Sequence, residues 1–413
     1  MEQFSVYGDT YLNDRYSVYE RLRNEAPAYF SKEMNSWFIT RYEDVSSLLR
    51  SNDLITSHLI QEKLDNLKEG ESEHFKEIID IISTWMIYND RPVHTRLRKF
   101  MNQAFMRKEL EIIKPEIAKI THTLIQKITD SGCTEIDFVE EIAHPLPAMI
   151  LCKMLGLDES EVGKFIKWSD DIADFMQNFV VSSVPDKGVS DITKKSMREM
   201  FDFLFETIKS RRNIPRNDLI SRLANSEKFE DGAMLGDAEI AAQTVHLIFG
   251  GHKIPQFMLT NMLHCLITHP EQMEALKQDS SLLDNALMES MRFEGPIQYV
   301  TRHAAKDIVL HGETIKKYDS VYLFLGAANR DPRAFQYPDM FNIQREEKLN
   351  HVAFGGGYHA CIGAAFVQME LNVILEGLFG AFKDIQSNYN IQSPDWSHNP
   401  TFHGIKSMSI KVK

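Results

Sequence analysis

Apolar residues recur at three- and four-residue spacing over 14–25, 41–51, 93–106, 109–129, 140–156, 158–179, 191–211, 237–268, 280–293 and 363–382. That is the period of amphipathic helices. Strand-like stretches are few and short: 35–40, 307–311, 319–324 and 405–412. The pattern predicts a mainly α protein with a small β-sheet region. It lacks the strand–helix alternation of a doubly wound sheet or barrel. The longest predicted helix covers 237–268, with Asp237 as N-cap and Ile240 opening the apolar run. If continuous it runs roughly 48 Å, at about 1.5 Å per residue. It is apolar on several faces, so it should cross the middle of the molecule.

That helix carries its own weak point, Gly250-Gly251-His252-Lys253-Ile254-Pro255. Pro255 has no N–H for the Gly251 carbonyl, and its ring crowds that carbonyl. Ile254, preceding proline, is pushed from α geometry. Each glycine weakens the turn by roughly 1 kcal/mol relative to alanine. A kink or opened turn is expected, with the Gly251 carbonyl in need of a partner.

At 413 residues, about 150 per domain would give two or three domains. No Pro/Gly/Ser-rich linker, low-complexity tract or repeat divides the chain, so 1–413 is read as a single domain with a helix-rich lobe and a smaller β-containing lobe. The composition, 43% hydrophobic and 25% charged, is that of a soluble globular protein. No run approaches the roughly 18 apolar residues of a membrane span. The start lacks the basic and apolar regions of a signal peptide. A cytoplasmic protein with no membrane contact is expected. A net charge of −13 argues against a nucleic-acid partner. No G-x-G-x-x-G or Walker sequence is present. Cys133, Cys152, Cys265 and Cys361 form no C-x-x-C pair and read as free thiols in a reducing compartment. Cys152 and Cys265 lie in apolar helical stretches as core filler.

Cys361 has different neighbours, HVAFGGGYHACIGAAFVQME over 351–370. Glycines let a backbone turn tightly and approach a large flat group. A helix over 363–382 would turn its N-terminus, with its partial positive charge, toward the sulfur and favour a thiolate. A lone cysteine near glycines is ordinarily just a buried residue in a turn. Here, however, Phe354, Gly355, Gly357, His359, Cys361, Gly363 and Glu370 match the cysteine loop of the cytochrome P450 family at every spacing. The resemblance implies the P450 fold, with heme b held between the long central helix and the cysteine loop and Cys361 as the iron ligand. Thiolate donation favours O–O bond cleavage.

Further stretches extend the resemblance over most of the chain. Glu289 and Arg292 in ALMESMRF, with Arg345 in FNIQR, look like the family's structural brace of the cysteine loop. An isolated Glu/Arg pair at this spacing is ordinarily a weak surface contact. In HTRLR, His94 and Arg98 share one helical face, by themselves a solvated basic stripe. By resemblance they bind the heme propionates together with Arg302 and His359, which suits charge-assisted donors to carboxylates. The stretches 326–345 and 144–157 look like bacterial members of the family, whose electrons come from separate ferredoxin- or flavodoxin-type donors. A monomer is the working expectation.

The chain departs from the family on the distal side. The long helix usually carries an acid–alcohol pair that organises water and delivers protons during oxygen activation. Here Lys253 takes the acid position and Ile254 the alcohol position, after Gly251. Two readings of Lys253 stand side by side. It points away from the heme and pairs with a carboxylate elsewhere, since long cations reach out of helix grooves; or it anchors an anionic or carbonyl-bearing substrate, or supplies protons. Peroxide-using members of the family resemble the second reading only partly, because Ile254 separates cation from proline. Gly251, Lys253 and Ile254 are therefore the candidate catalytic positions. Gly295 and Gln368 are smaller departures that leave heme binding intact.

By resemblance, the substrate walls come from about 55–90, 172–184, 244–255, 296–301 and 399–405. The candidate lining is Phe175, Phe179, Ile248, Val300 and Phe402, which suits a mid-sized, mainly apolar substrate. The segment 180–190 reads as a lid or a plain loop. The expected activity is heme-dependent monooxygenation of a small secondary metabolite with atypical oxygen activation. The alternatives are a substrate-assisted or peroxide-using heme-thiolate enzyme, or a heme-binding sensor or carrier with little oxygenase activity.

Overall fold

The helix expected at 237–268 forms with those bounds, Asp237–Thr268, and stays helical through Pro255. The computed structural model describes residues 4, 6, 8–65, 71–181, 187–225, 234–346 and 349–413. The protein is mainly helical with small sheets. In chain order the helices are α1 (Asp9–Asn13), α2 (Arg15–Glu25), α3 (Tyr42–Arg50), α4 (His58–Asp65), α5 (Glu71–Ile82), α6 (Val93–Met101), α7 (Arg107–Asp130) and α8 (Pro145–Leu155). There follow α9 (Val162–Val181), α10 (Lys187–Asn213), α11 (Leu219–Ala224), α12 (Asp237–Thr268), α13 (Pro270–Gln278), α14 (Leu283–Phe293), α15 (Leu325–Asn329) and α16 (Ala364–Ala381).

Helix α12 packs against α8, α9, α10 and α14, which is why it is apolar nearly all round. Its Ile240, Val245, Leu259 and Leu263 are buried in the main core with Ile150, Leu155, Leu204 and Leu287. Each such side chain contributes about 1.5–3 kcal/mol by leaving water. The N-cap is Gly236 rather than Asp237; Glu239 Oε2 accepts the Gly236 N–H at 2.9 Å. Where a kink or opened turn was expected, Gly250–Pro255, the helix runs on without interruption. Gly251 lies so close to α8 that an added Cβ would come within 3.2 Å of Leu151. One residue on, the His252 ring Nε2 donates to the His144 carbonyl at 3.0 Å. These contacts hold the turn that local propensity weakens.

Among the described residues ten strands complete the fold: β1 (Ala28–Ser31), β2 (Ser36–Ile39), β3 (Leu54–Ile55), β4 (Glu135–Asp137), β5 (Tyr299–Ala304), β6 (Ile308–Leu310), β7 (Glu313–Ile315), β8 (Ser320–Phe324), β9 (Ile385–Ser387) and β10 (Ser409–Val412). The five-stranded sheet runs β1-β2-β8-β5-β3, with β2 and β8 parallel and the other pairs antiparallel. A three-stranded sheet runs β4-β10-β9, and β6 pairs with β7. Pattern reading missed β1, β3, β4, β5, β7 and β9, which are too short or too mixed for a period-2 signal. Among the described helices, only α16 is long and apolar enough to cross a membrane. It packs on α7 and α14 instead, its Leu371, Ile374 and Leu378 fully buried.

Candidate active site

The cysteine loop is built by backbone geometry. Gly355 and Gly357 sit at φ +70 and +64, a region that costs other residues roughly 1–2 kcal/mol. A Cβ on Gly357 would also lie 2.4 Å from the Leu49 carbonyl oxygen. The Cys361 N–H closes the loop on the Phe354 carbonyl at 2.8 Å. Helix α16 starts three residues later, with Gly363 as N-cap. Burial pushes the Cys361 thiol up, while the Gly363 amide, the Arg98 charge and the Ala364 amide pull the other way. The exposed surface of Cys361 opens onto an internal cavity that it helps to line, so the sulfur is enclosed yet accessible. Iron coordination would deprotonate such a thiol outright.

The cavity is about 380 Å³. Cys361 and the loop residues Phe354, Gly355, Ala360 and Gly363 form one wall. Gly250, Gly251, Ile254 and Pro255 of α12 form another. Near Gly250 an added Cβ would meet nothing within 4 Å, so the glycine leaves open space there.

Heme fits this cavity by an independent observation. His94, Arg98, Arg302 and His359 all line it. Both ring nitrogens of the buried His94 lack a hydrogen-bond partner, a costly arrangement unless something else satisfies them. Burial, then the nearby His359 and Arg98 charges, hold His94 down at about 4. Burial likewise brings Arg302 down to about 10. Arg98 donates to the Tyr358 and Ala360 carbonyls, and His359 approaches Asp90 at 3.8 Å. Two guanidinium groups and two imidazoles stand around the single Asp90 carboxylate, and two propionates would use the donors left over. Glu370 also lines the cavity. It is buried, without a partner, and burial holds its carboxyl well above the ordinary range.

Glu289 and Arg292 of the brace are fully buried, and the Arg345 side chain nearly so. Glu289 receives Arg292 through two bonds of 2.7 Å and Arg345 through one of 3.0 Å. Arg292 goes on to the carbonyls of Asn329, Pro338 and Met340. Arg345 reaches those of Gln336, Tyr337 and Met340. Two guanidinium groups thereby fasten the segment 336–340 to α14. Such a planar fork is what lysine cannot reproduce.

Four candidate residues lie outside the cavity lining. Lys253 turns away, its Nζ 3.2 Å from Asp170 Oδ1 on α9. At this level of α12 the cavity wall is carried by Gly251, Ile254, Pro255 and Met258, and the long Lys253 side chain leans to Asp170 instead. Ile248 faces the core, 2% exposed, while Leu247 and Phe249 line the cavity. Phe175 and Phe179, one turn apart, stack on each other with centroids 5.6 Å apart. Met176 takes the lining position between them. Val300 and Phe402 do line the cavity. Residues 182–186 of the expected lid lie outside the described residues.

The sequence reading missed three polar groups in the lining. His246 lies parallel to Trp85, centroids 4.9 Å apart and planes within 14°. Thr301 and Thr401 present buried hydroxyls without partners. The register that places them is the bond from Gln298 N–H to the Thr401 carbonyl at 2.7 Å, next to the Ile297–Phe402 bridge. Helical spacing from Gly250 would have found His246, one turn back. Nothing local signals the pairing of 297 with 402.

Comparison with known proteins agrees with this geometry. The sequence model of cytochrome P450 matches residues 20–388. The chain belongs to the cytochrome P450 family; it is an oxidoreductase of the monooxygenase type with heme b as cofactor. It is similar to 6-deoxyerythronolide B hydroxylase of Saccharopolyspora erythraea, 29% identical over 98% of this chain and 97% of the relative. It is also similar to pulcherriminic acid synthase of Bacillus subtilis, 30% identical over 93% of this chain and 92% of the relative. Among solved structures, the Bacillus subtilis bacillaene polyketide synthase P450 PksS superposes with a TM-score of 0.86 at 27% identity. That match covers 99% of this chain and 100% of the other.

Proposed function

We propose that this protein monooxygenates a mid-sized, mainly apolar secondary metabolite without the usual acid–alcohol pair, the substrate itself organising the water that delivers protons. The observation that carries this reading is the distal wall. Where Gly250, Gly251, Ile254 and Pro255 face the cavity, no acid or hydroxyl is offered, and Lys253 is engaged with Asp170 outside it.

Bound through Cys361, heme supplies the oxygen-activating chemistry, with thiolate donation favouring O–O cleavage. His94, Arg98, Arg302 and His359 would hold its propionates. Met176, Leu247, Phe249, Ile254, Val300 and Phe402 exclude bulk water and accept an apolar body. His246, Thr301 and Thr401 supply the few polar contacts that orient it. A substrate hydroxyl or carbonyl close to Gly251 then does the work that a threonine does elsewhere. The peroxide-using alternative asks for a distal cation to hold a carboxylate, and Lys253 does not face that way. Relatives named for a hydroxylase, a polyketide P450 and pulcherriminic acid synthesis support secondary metabolism as the setting. A ferredoxin-type donor would provide the electrons.

The test is turnover of a panel of apolar hydroxylated metabolites with a ferredoxin–reductase pair, against the same panel with hydrogen peroxide. Oxygenated product that depends on reduced ferredoxin, and disappears when the substrate hydroxyl is methylated or removed, supports the reading. Product with peroxide alone would replace it with the peroxide-using alternative. Tight heme binding with no oxygenation under either condition would favour the sensor or carrier.

A further inference from the structure

On the side of α12 turned away from the cavity, a second group of chemistry-bearing side chains comes together. His144 stands at the N-terminus of α8, Asp170 on α9 and His252 on α12. Each offers one ligand atom, and the three atoms lie within 4.8 Å of one another. His144 Nε2 is 3.0 Å from Asp170 Oδ2 and 3.2 Å from Oδ1. Around a tetrahedral zinc ion with bonds of about 2.0–2.1 Å, neighbouring ligand atoms are about 3.3 Å apart. Two members of the set therefore already stand near the separation that such an ion imposes.

The third member has a ring nitrogen free for the same role. The His252 ring is fully buried. Its Nε2 lies 3.0 Å from the His144 carbonyl, and a carbonyl can only accept, so Nε2 carries the proton. Nδ1 is then a bare lone pair, and it is buried with no partner. A ring fixed by a backbone carbonyl on one nitrogen and left open on the other is how proteins present histidine to metal. The His144 and His252 rings lie 4.9 Å apart, tilted by 35°. The His144 and Asp170 side chains keep 20% and 32% of their surface exposed, which gives an ion a way in.

We propose that His144, Asp170 and His252 form a binding site for a borderline divalent cation of the zinc type, separate from the heme pocket. Two imidazole nitrogens and one carboxylate oxygen suit zinc, with water in the fourth position. Ligation moves the His144 ring proton to Nδ1 or releases it, and asks His252 to close the remaining gap. Lys253 is the built-in competitor, because its ammonium shares Asp170 Oδ1 and must give way. The ion would tie α8 and α9 to the back of the distal helix.

The proposal is tested on the heme-loaded protein by equilibrium dialysis against zinc chloride, with zinc counted per heme by elemental analysis. One zinc per chain with micromolar or better affinity is expected for the unmodified protein. Asp170→Asn and His252→Gln should each weaken it at least tenfold, and Lys253→Met should tighten it, while the heme absorption spectrum confirms that each variant is folded. Zinc should raise the thermal midpoint of the unmodified protein and not that of Asp170→Asn. No stoichiometric zinc in the unmodified protein overturns the site. So does zinc held equally well by Asp170→Asn and His252→Gln. Both readouts are independent of oxygenation, so failure here leaves the proposed function standing.

Discussion

Lys253 Nζ and Asp170 Oδ1 are 3.2 Å apart, joining α12 to α9 at the position where the family keeps a carboxylate. Burial pushes the Asp170 carboxyl up, but the hydrogen bond with His144 and the Lys253 charge prevail and hold it at about 2. The Lys253 and Asp170 side chains retain 20% and 32% of their surface, so solvent screens the pair. It contributes up to about 1 kcal/mol. Lys253→Ala should lower stability by that much and leave substrate affinity and turnover within about threefold. A fall in turnover of a hundredfold or more, roughly 2.7 kcal/mol of lost transition-state stabilisation, would return Lys253 to the reaction.

Cys361→Ala removes the one sulfur that faces the cavity from the cysteine loop. The reduced, carbon monoxide-treated protein should lose the absorption of thiolate ligation altogether. If that spectrum survived in Cys361→Ala, the site would have to be rebuilt around another ligand.

The brace gives a sharper stability prediction. Glu289 is buried against Arg292 and Arg345 with no solvent to replace it. Removing one partner from such a group costs about 3–5 kcal/mol, because buried charge is left uncompensated. Glu289→Ala should therefore express poorly, with heme content per chain well below that of the parent. Normal heme content and an unchanged thermal midpoint would mean that the segment 336–340 is held by something else.

Two glycines should behave in opposite ways. Gly357→Ala must place a Cβ at φ +64 and 2.4 Å from the Leu49 carbonyl, so the loop has to shift and both heme content and thermal midpoint should fall. Gly250→Ala meets nothing within 4 Å and gains roughly 1 kcal/mol of helix propensity. It should raise stability while narrowing the cavity, so the largest accepted substrate should bind less tightly. Equal effects of the two substitutions would contradict the geometry.

Much of the site was legible because its signals are local. The spacing around Cys361, the turn between His94 and Arg98, and the period of α12 lie within short stretches of sequence. The lining was less legible. Phe175 and Phe179 are apolar at helical spacing, which fits a core pair as well as a pocket. Only the packing of α9 tells that Met176 faces inward. Ile248 and Leu247 are adjacent and both apolar, so a shift of one residue in helical phase exchanges core for cavity. The continuity of the helix through Pro255 was hidden for a related reason, since His144 and Leu151 lie about a hundred residues earlier in the chain and hold the turn from outside. The direction of Lys253 depends on Asp170, whose partner no local pattern reveals.

Acid should destabilise the protein in two stages. His246, His252 and His351 are enclosed, and burial holds each at about 4, against an ordinary value near 6.5. Unfolding frees them to bind protons between those values. Their stabilising contribution is thus fully present above about pH 6.5 and is lost as the pH falls toward 4, by up to about 1.4 kcal/mol per pH unit for each ring. Below that, the depressed carboxyls take over. Glu294, buried beside His403 at 2.5 Å and Arg330 at 3.0 Å, is held at about 2 despite its burial. Asp170 is held there too, so their contributions disappear between about pH 4 and 2. The thermal midpoint of the heme-loaded protein should therefore fall from pH 7 to pH 5. His351→Gln removes one titrating ring and should make the fall shallower, even if its midpoint at pH 7 is lower. A midpoint as high at pH 5 as at pH 7 would show that these rings are already protonated in the folded protein.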